Sequence, residues 1–126
     1  METMIRKVQQ VDANALAYIQ TESWKAAFAG ILDAEMLAKC TDIDRATAMY
    51  QRLLDENKGN GYLLTVNEKP HCIAYWDAAR DPEFAGKAEL ICIHSLPDNW
   101  HKGFGSQMMD FVLDDIKKAG YSEVVL

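Results

Sequence analysis

The chain has 126 residues, 49% hydrophobic and 25% charged, which places it in the size range of one domain, able to bury about two thirds of its unfolded surface, and far from a disordered composition. Nineteen acidic against thirteen basic residues give a net charge of -6, so a polyanion is repelled and no nucleic-acid binding is expected, although local backbone amides can still hold a small anion. There is no apolar run of about 18 residues, and METMIRKVQQ lacks the apolar centre of a signal peptide, so no membrane association is expected and the location is read as cytoplasmic.

The elements follow in chain order. Met4 to Val8 reads as a first strand, closed by Asp12, which is placed to cap a following helix. That helix runs from Ala13 to Phe28, with Leu16, Ile19, Trp24 and Ala27 on one face and Gly30 as its stop. Thr41-Asp42-Ile43-Asp44 has the shape of a capping box and predicts a second helix, on which Ala46, Met49, Tyr50, Leu53 and Leu54 form an apolar stripe. Asn57 to Gly61 breaks it.

The period then changes to that of strands. Tyr62 to Val66 and Cys72 to Trp76 form an antiparallel hairpin around Asn67 to Pro70, and Ala88 to Ser95 is a third β run ahead of Pro97. Gly105 opens the clearest helix, in which Met108, Met109, Val112, Leu113 and Ile116 recur at three- and four-residue spacing, and Gly120 ends it. Tyr121 to Leu126 begins a fifth strand. The expected class is α+β: a mixed, mostly antiparallel sheet flanked by helices in three layers, over one domain spanning 1-126. Cys40, Cys72 and Cys92 form no CxxC pair and are odd in number, which fits a reducing compartment, and each reads as a small buried hydrophobe.

The stretch with chemical content is the β run from Glu89 to Ser95, the segment Leu96-Pro97-Asp98-Asn99-Trp100-His101-Lys102-Gly103-Phe104-Gly105-Ser106, and the helix behind it. Gly103 and Gly105 permit positive φ and close approach of a ligand to the backbone. The first amides of the helix are unpaired and carry the positive end of its dipole, a combination suited to pyrophosphate. A dinucleotide fold would place its GxGxxG after the first strand and show a third glycine, and a P-loop would show Lys-Ser/Thr after the glycines; neither pattern is met.

The segment resembles the coenzyme A signature of the GNAT acetyltransferases, Q/R-x-x-G-x-G/A after an apolar-Pro pair, here Trp100 to Gly105 after Leu96-Pro97. Ser23-Trp24-Lys25-Ala26-Ala27-Phe28-Ala29-Gly30 also resembles a helix end seen in many members. Trp100 departs from the usual Gln or Arg and supplies one donor without charge. By resemblance, Ile93, His94, Ser95 and Leu96 would pair through their backbone with a pantetheine arm. Trp100, His101, Lys102, Gly103, Phe104, Gly105 and Ser106 would hold the pyrophosphate of acetyl-CoA, with His101 and Lys102 adding local positive charge.

The resemblance implies an N-acetyltransferase acting on a primary amine of a small molecule or peptide, with acetyl-CoA as co-substrate and no metal. Glu89 and His94 are the candidate bases, and Tyr18, Trp24 and Phe28 the candidate acceptor lining. In the family a helix and two more strands follow the fifth strand and do not follow here. The alternative reading is therefore a shortened, non-catalytic subunit for assembly or CoA binding alone. The apolar run Val124-Val125-Leu126 is expected to be covered by a second chain, as a homodimer or in a complex.

Overall fold

A computed structural model describes residues 2–97 and 103–126. Five strands form one sheet in the order β1-β2-β3-β4-β5: β1 (Thr3–Lys7), β2 (Asn60–Val66), β3 (Lys69–Ala78), β4 (Ala88–Ser95) and β5 (Val124–Val125). Neighbours are antiparallel except β4 and β5, which run parallel. The helices are α1 (Ala13–Phe28), α2 (Ala34–Cys40), α3 (Ile43–Asp55) and α4 (Phe104–Lys118).

Two apolar cores lie on opposite faces of the sheet, because strand side chains alternate between faces. On one face, α1 and α3 pack Leu16, Ile19, Ala46 and Tyr50 against Leu63, Ile73 and Tyr75. On the other, α4 packs Phe104, Met108, Val112 and Ile116 against Leu64, Cys72, Ala74, Trp76 and Leu90. Each large side chain fully buried in this way contributes roughly 1.5–3 kcal/mol. The expected three-layer arrangement is the one found.

Local signals were reassigned in four places. Asp12 stands at the N-cap position of α1 but makes no cap hydrogen bond. Its carboxylate is held bidentately by the Arg6 guanidinium at 2.8 and 2.9 Å and also accepts the Gln9 amide at 2.6 Å, which ties β1 to the start of α1. Asp42, not Thr41, caps α3, accepting the amides of Asp44 and Arg45, while the Thr41 hydroxyl donates back to the Leu37 carbonyl at the end of α2. α2 itself was not expected; it buries no residue and starts on the Asp33 cap, whose side chain accepts the Met36 amide at 2.8 Å. On α1 the inward position past Ile19 is taken by Ser23, with Trp24 half-buried and Ala27 exposed.

The β2–β3 turn is two residues long, with Asn67 and Glu68 both left-handed (φ 51° and 71°), the twist that suits a hairpin. The register of β3 against β4 pairs Tyr75 with Cys92 and Trp76 with Leu90, so Ile91 is an extra residue, a β-bulge. It reverses the alternation of β4. Ala88 and Leu90 face α4 before the bulge, whereas Cys92 joins the α1/α3 core and Ile93 the α4 core after it.

Candidate active site

β5 pairs only with Ala88 and Glu89. Beyond that point the outer edge of β4 has no strand partner among the described residues, while its inner edge continues to bond to β3 and the Leu96 amide donates to the His71 carbonyl at 2.9 Å. An open strand edge presents a row of amides and carbonyls to whatever extended group lies beside it.

Beside this edge lies a cleft of about 480 Å³. Its walls come from three elements: Ser23 of α1, the β4 end at Ile93, His94 and Ser95, and the first turns of α4 at Gly105, Ser106, Met109 and Asp110. α4 is preceded by Gly103, whose φ of 84° is the left-handed conformation that favours glycine, and no side chain among the described residues caps the helix. The first-turn amides are thus available at the positive end of the dipole. A Cβ added at Gly103 or Gly105 would meet nothing within 4 Å among the described residues, so both glycines border open space.

His94 is half-buried on the cleft wall, and that burial pushes its pKa below the ordinary 6.5. At neutral pH the imidazole is therefore neutral and able to accept a proton. Glu89 lies at the other end of β4, where its carboxylate meets Arg80 at 2.6 Å and also accepts the Arg80 backbone amide at 3.1 Å. The Arg80 hydrogen bonds hold its pKa below the usual carboxylate range, which makes it an anchored anion and a weaker base.

On the α1/α3 face of the same strand is a second cavity of about 400 Å³, walled by α3, β3 and the bulge of β4. Tyr50, Tyr75 and Cys92 line it. The Tyr50 hydroxyl bonds to the Gln20 side chain. Burial pushes the Cys92 thiol up to about 11 and the Tyr75 hydroxyl up to about 12. The buried Tyr75 hydroxyl has no hydrogen-bond partner among the described residues.

The sequence profile of the Acetyltransferase (GNAT) family matches residues 14–126. The chain belongs to this family. No curated protein matches it. Among solved structures, it is similar to the PaiA N-acetyltransferase of Thermoplasma acidophilum in complex with coenzyme A (22% identity, 95% of this chain and 75% of that one, TM-score 0.74). It is also similar to a GCN5-related N-acetyltransferase of Ralstonia eutropha JMP134 (15% identity, 99% and 82%, TM-score 0.75). A third is a predicted acetyltransferase of Clostridium acetobutylicum with acetyl-CoA (17% identity, 99% and 80%, TM-score 0.69). At these identities the likeness is one of fold.

For this GNAT chain the structure gathers Ile93, His94, Ser95, Gly105 and Ser106 around one cleft, with Gly103 and buried Phe104 at the start of the helix that walls it. Leu96 packs on the α1/α3 core just beyond. Trp100, His101 and Lys102 lie outside the described residues. Glu89 lines neither cavity, although its partner Arg80 borders the second. Of the expected acceptor lining, Tyr18 is 50% exposed, because α1 buries Leu16, Ala17 and Ile19 instead, and Trp24 and Phe28 pack on each other with tilted rings 4.9 Å apart; none of the three borders these two cavities.

Residues that sequence reading passed over now border the site. Ser23 and Met109 line the first cleft, and Tyr50, Tyr75 and Arg80 the second. Tyr50 sat in an apolar helical stripe and Tyr75 in an apolar strand, where each read as core; the packing of α3 on β3 brings them together beside the bulge of β4. Cys40 is exposed rather than buried, since α2 has no inward face.

Proposed function

We propose that this GNAT chain transfers an acetyl group from acetyl-CoA to a primary amine, with the cleft between the open edge of β4 and the start of α4 as its coenzyme site. The observation that carries the reading is the conjunction of those two features around one cleft: strand backbone without a partner among the described residues, for an extended amide-bearing arm, and helix amides behind a left-handed glycine, likewise uncapped among them, for a pyrophosphate. Ile93 to Leu96 would hold the arm, and Gly103 to Ser106 the phosphates, with Lys102 adding charge.

Acetyl-CoA supplies the acyl group: the amine nitrogen bonds to the thioester carbonyl carbon, the C–S bond breaks, and its electron pair leaves with sulfur. The ammonium must lose a proton before it attacks, and the amide nitrogen a second one, which the thiolate takes up. Neutral His94 is the group able to accept the first proton, directly or through water. Glu89, the other candidate base, is held by Arg80 as an anchored anion at the far end of β4 and would serve only an amine bound toward β5. Nothing in this step requires a metal.

Titrating acetyl-CoA while following thermal unfolding tests the reading. At a hundredfold excess over the dissociation constant, stabilisation of about 2.7 kcal/mol is expected. Gly103→Val, which places a branched side chain at φ 84° beside the phosphate turn, should lose most of that stabilisation, whereas Lys102→Ala removes a single charge and should lose little. A flat response in the unaltered protein, or equal losses in the two variants, would contradict the assignment.

A further inference from the structure

We infer that the second cavity receives the body of the acceptor, and that its walls select a monoamine carried on an apolar, aromatic-sized group; this rests on the acetyltransferase reading above. The cavity lies on the opposite face of β4 from α4 and includes the bulge residue Ile91 together with Cys92. An amine seated there would meet a thioester laid along the open edge of the same strand, which is the geometry that direct transfer requires.

Its chemistry follows from its walls. Met49, Tyr50, Leu53, Tyr75, Ile91 and Cys92 make it predominantly apolar, and at about 400 Å³ it has the size of a small-ligand pocket. Burial keeps both tyrosine hydroxyls and the thiol protonated, so the interior holds no formal charge. Charge is confined to the rim. Asp77 and Glu89 are directly opposite each other across β3 and β4, and Arg80, bonded to Glu89 and near Asp77, offsets one of the two carboxylates. Lys58, also on the rim, is paired with Glu56 at 3.6 Å, so one negative charge remains and suits one ammonium. The apolar interior opposes a second or third cation, so a polyamine or an aminoglycoside would bury charge with no carboxylate to meet it. Asp77 is then the specificity-determining residue, attracting the ammonium while the aromatic walls hold the body.

Equilibrium binding to the full-length chain, with and without CoA, separates this inference from the coenzyme assignment. The ligands are phenethylamine, its uncharged analogue 2-phenylethanol, and spermidine, with acetyl-CoA binding measured independently. Phenethylamine should bind more tightly than both others. Asp77→Asn should weaken phenethylamine by up to about fivefold while leaving 2-phenylethanol unchanged, because only the ion pair is lost. Ile91→Arg, at a residue 39% exposed and unpaired in the register, should weaken phenethylamine by more than about tenfold and leave acetyl-CoA binding intact. Spermidine binding as well as phenethylamine, no phenethylamine binding at millimolar concentration, or an Ile91→Arg variant that keeps both folding and amine affinity would overturn the inference. Loss of acetyl-CoA binding alone, with the amine pattern as expected, would sink the coenzyme assignment and leave the pocket assignment standing.

Discussion

Two adjacent aspartates on α4 should differ about tenfold in what their loss costs the fold. A single oxygen of Asp115 accepts the Tyr62 hydroxyl at 2.6 Å and the Trp76 indole N–H at 2.9 Å, fastening the C-terminal half of α4 to β2 and β3. Trp76 is only 4% exposed, so Asp115→Ala would leave its N–H buried with no acceptor. Tyr62 is half-buried and regains water more easily. Hydrogen bonds to a charged acceptor contribute about 1.5–3 kcal/mol, and a stranded buried donor costs about 1–3 kcal/mol. A loss of about 3 kcal/mol follows, or on the order of 12 °C in Tm for a chain of this size. Asp114, one residue earlier, is exposed and pairs with Lys118 at 3.0 Å in an i,i+4 arrangement, so Asp114→Ala should cost about 0.3–0.5 kcal/mol. Asp115→Asn, which keeps a carbonyl oxygen, should fall between. Urea unfolding followed by tryptophan fluorescence measures all three, with equal m-values as the check that the comparison is fair. If Asp115→Ala and Asp114→Ala agree within 1 kcal/mol, the bonds from Tyr62 and Trp76 do not hold the helix as described.

Two pH dependences follow from the same structure. The hydrogen bonds from Arg6 hold the Asp12 carboxyl below its ordinary value; its stabilising contribution is therefore complete above the unfolded-state pKa, near 4, and is lost as pH falls through the folded value, so urea midpoints should drop with acidification below about pH 4 and Asp12→Asn should flatten that drop. If His94 takes the proton from the acceptor, kcat/KM should decline on the acid side with a midpoint below 6.5, since burial lowers its pKa, and His94→Gln should remove that limb; an unchanged limb in the variant would assign the proton to another group.

The helix and strand order was legible in the sequence because its apolar spacing switches cleanly from the period of α1 and α3 to that of β2 to β4 and back for α4. The Ala88–Ser95 strand was located to the residue, since Pro97 and the preceding glycine loop bound it on both sides. α2 escaped notice because periodicity registers buried faces, and a seven-residue helix with no buried residue has none. Asp12 and Thr41 were misread for a related reason. A short polar side chain can serve either the helix it opens or a neighbour brought near by the fold, and sequence spacing shows only the first partner.

The strand-to-helix junction that borders the first cleft was legible because glycine spacing and strand-to-helix order are local. The second cavity was not. Its members come from positions 20 to 92, are brought together by packing α3 on the sheet, and each alone looks like ordinary core. Tyr18 illustrates how a single helix turn decides placement: α1 turns Leu16, Ala17 and Ile19 inward and leaves the intervening aromatic on the surface.

The single surplus residue in β4 fixes a parity. Side chains on a regular strand alternate strictly, so Leu90 and Cys92, two positions apart, face opposite cores only because Ile91 is left out of the ladder with β3. Were Ile91 drawn into a regular ladder with Glu89 and the β5 contact kept in place, Cys92 would turn toward α4, Ile93 toward α1 and α3, and His94 away from the wall it now shares with Ser23. The chain would keep its fold's outline and lose the side on which each functional group is displayed. The bulge thus carries as much information as the residues around it: substitutions there alter a contact and loss of Ile91 would only regularise the ladder, whereas absorbing the surplus residue into the strand inverts the site.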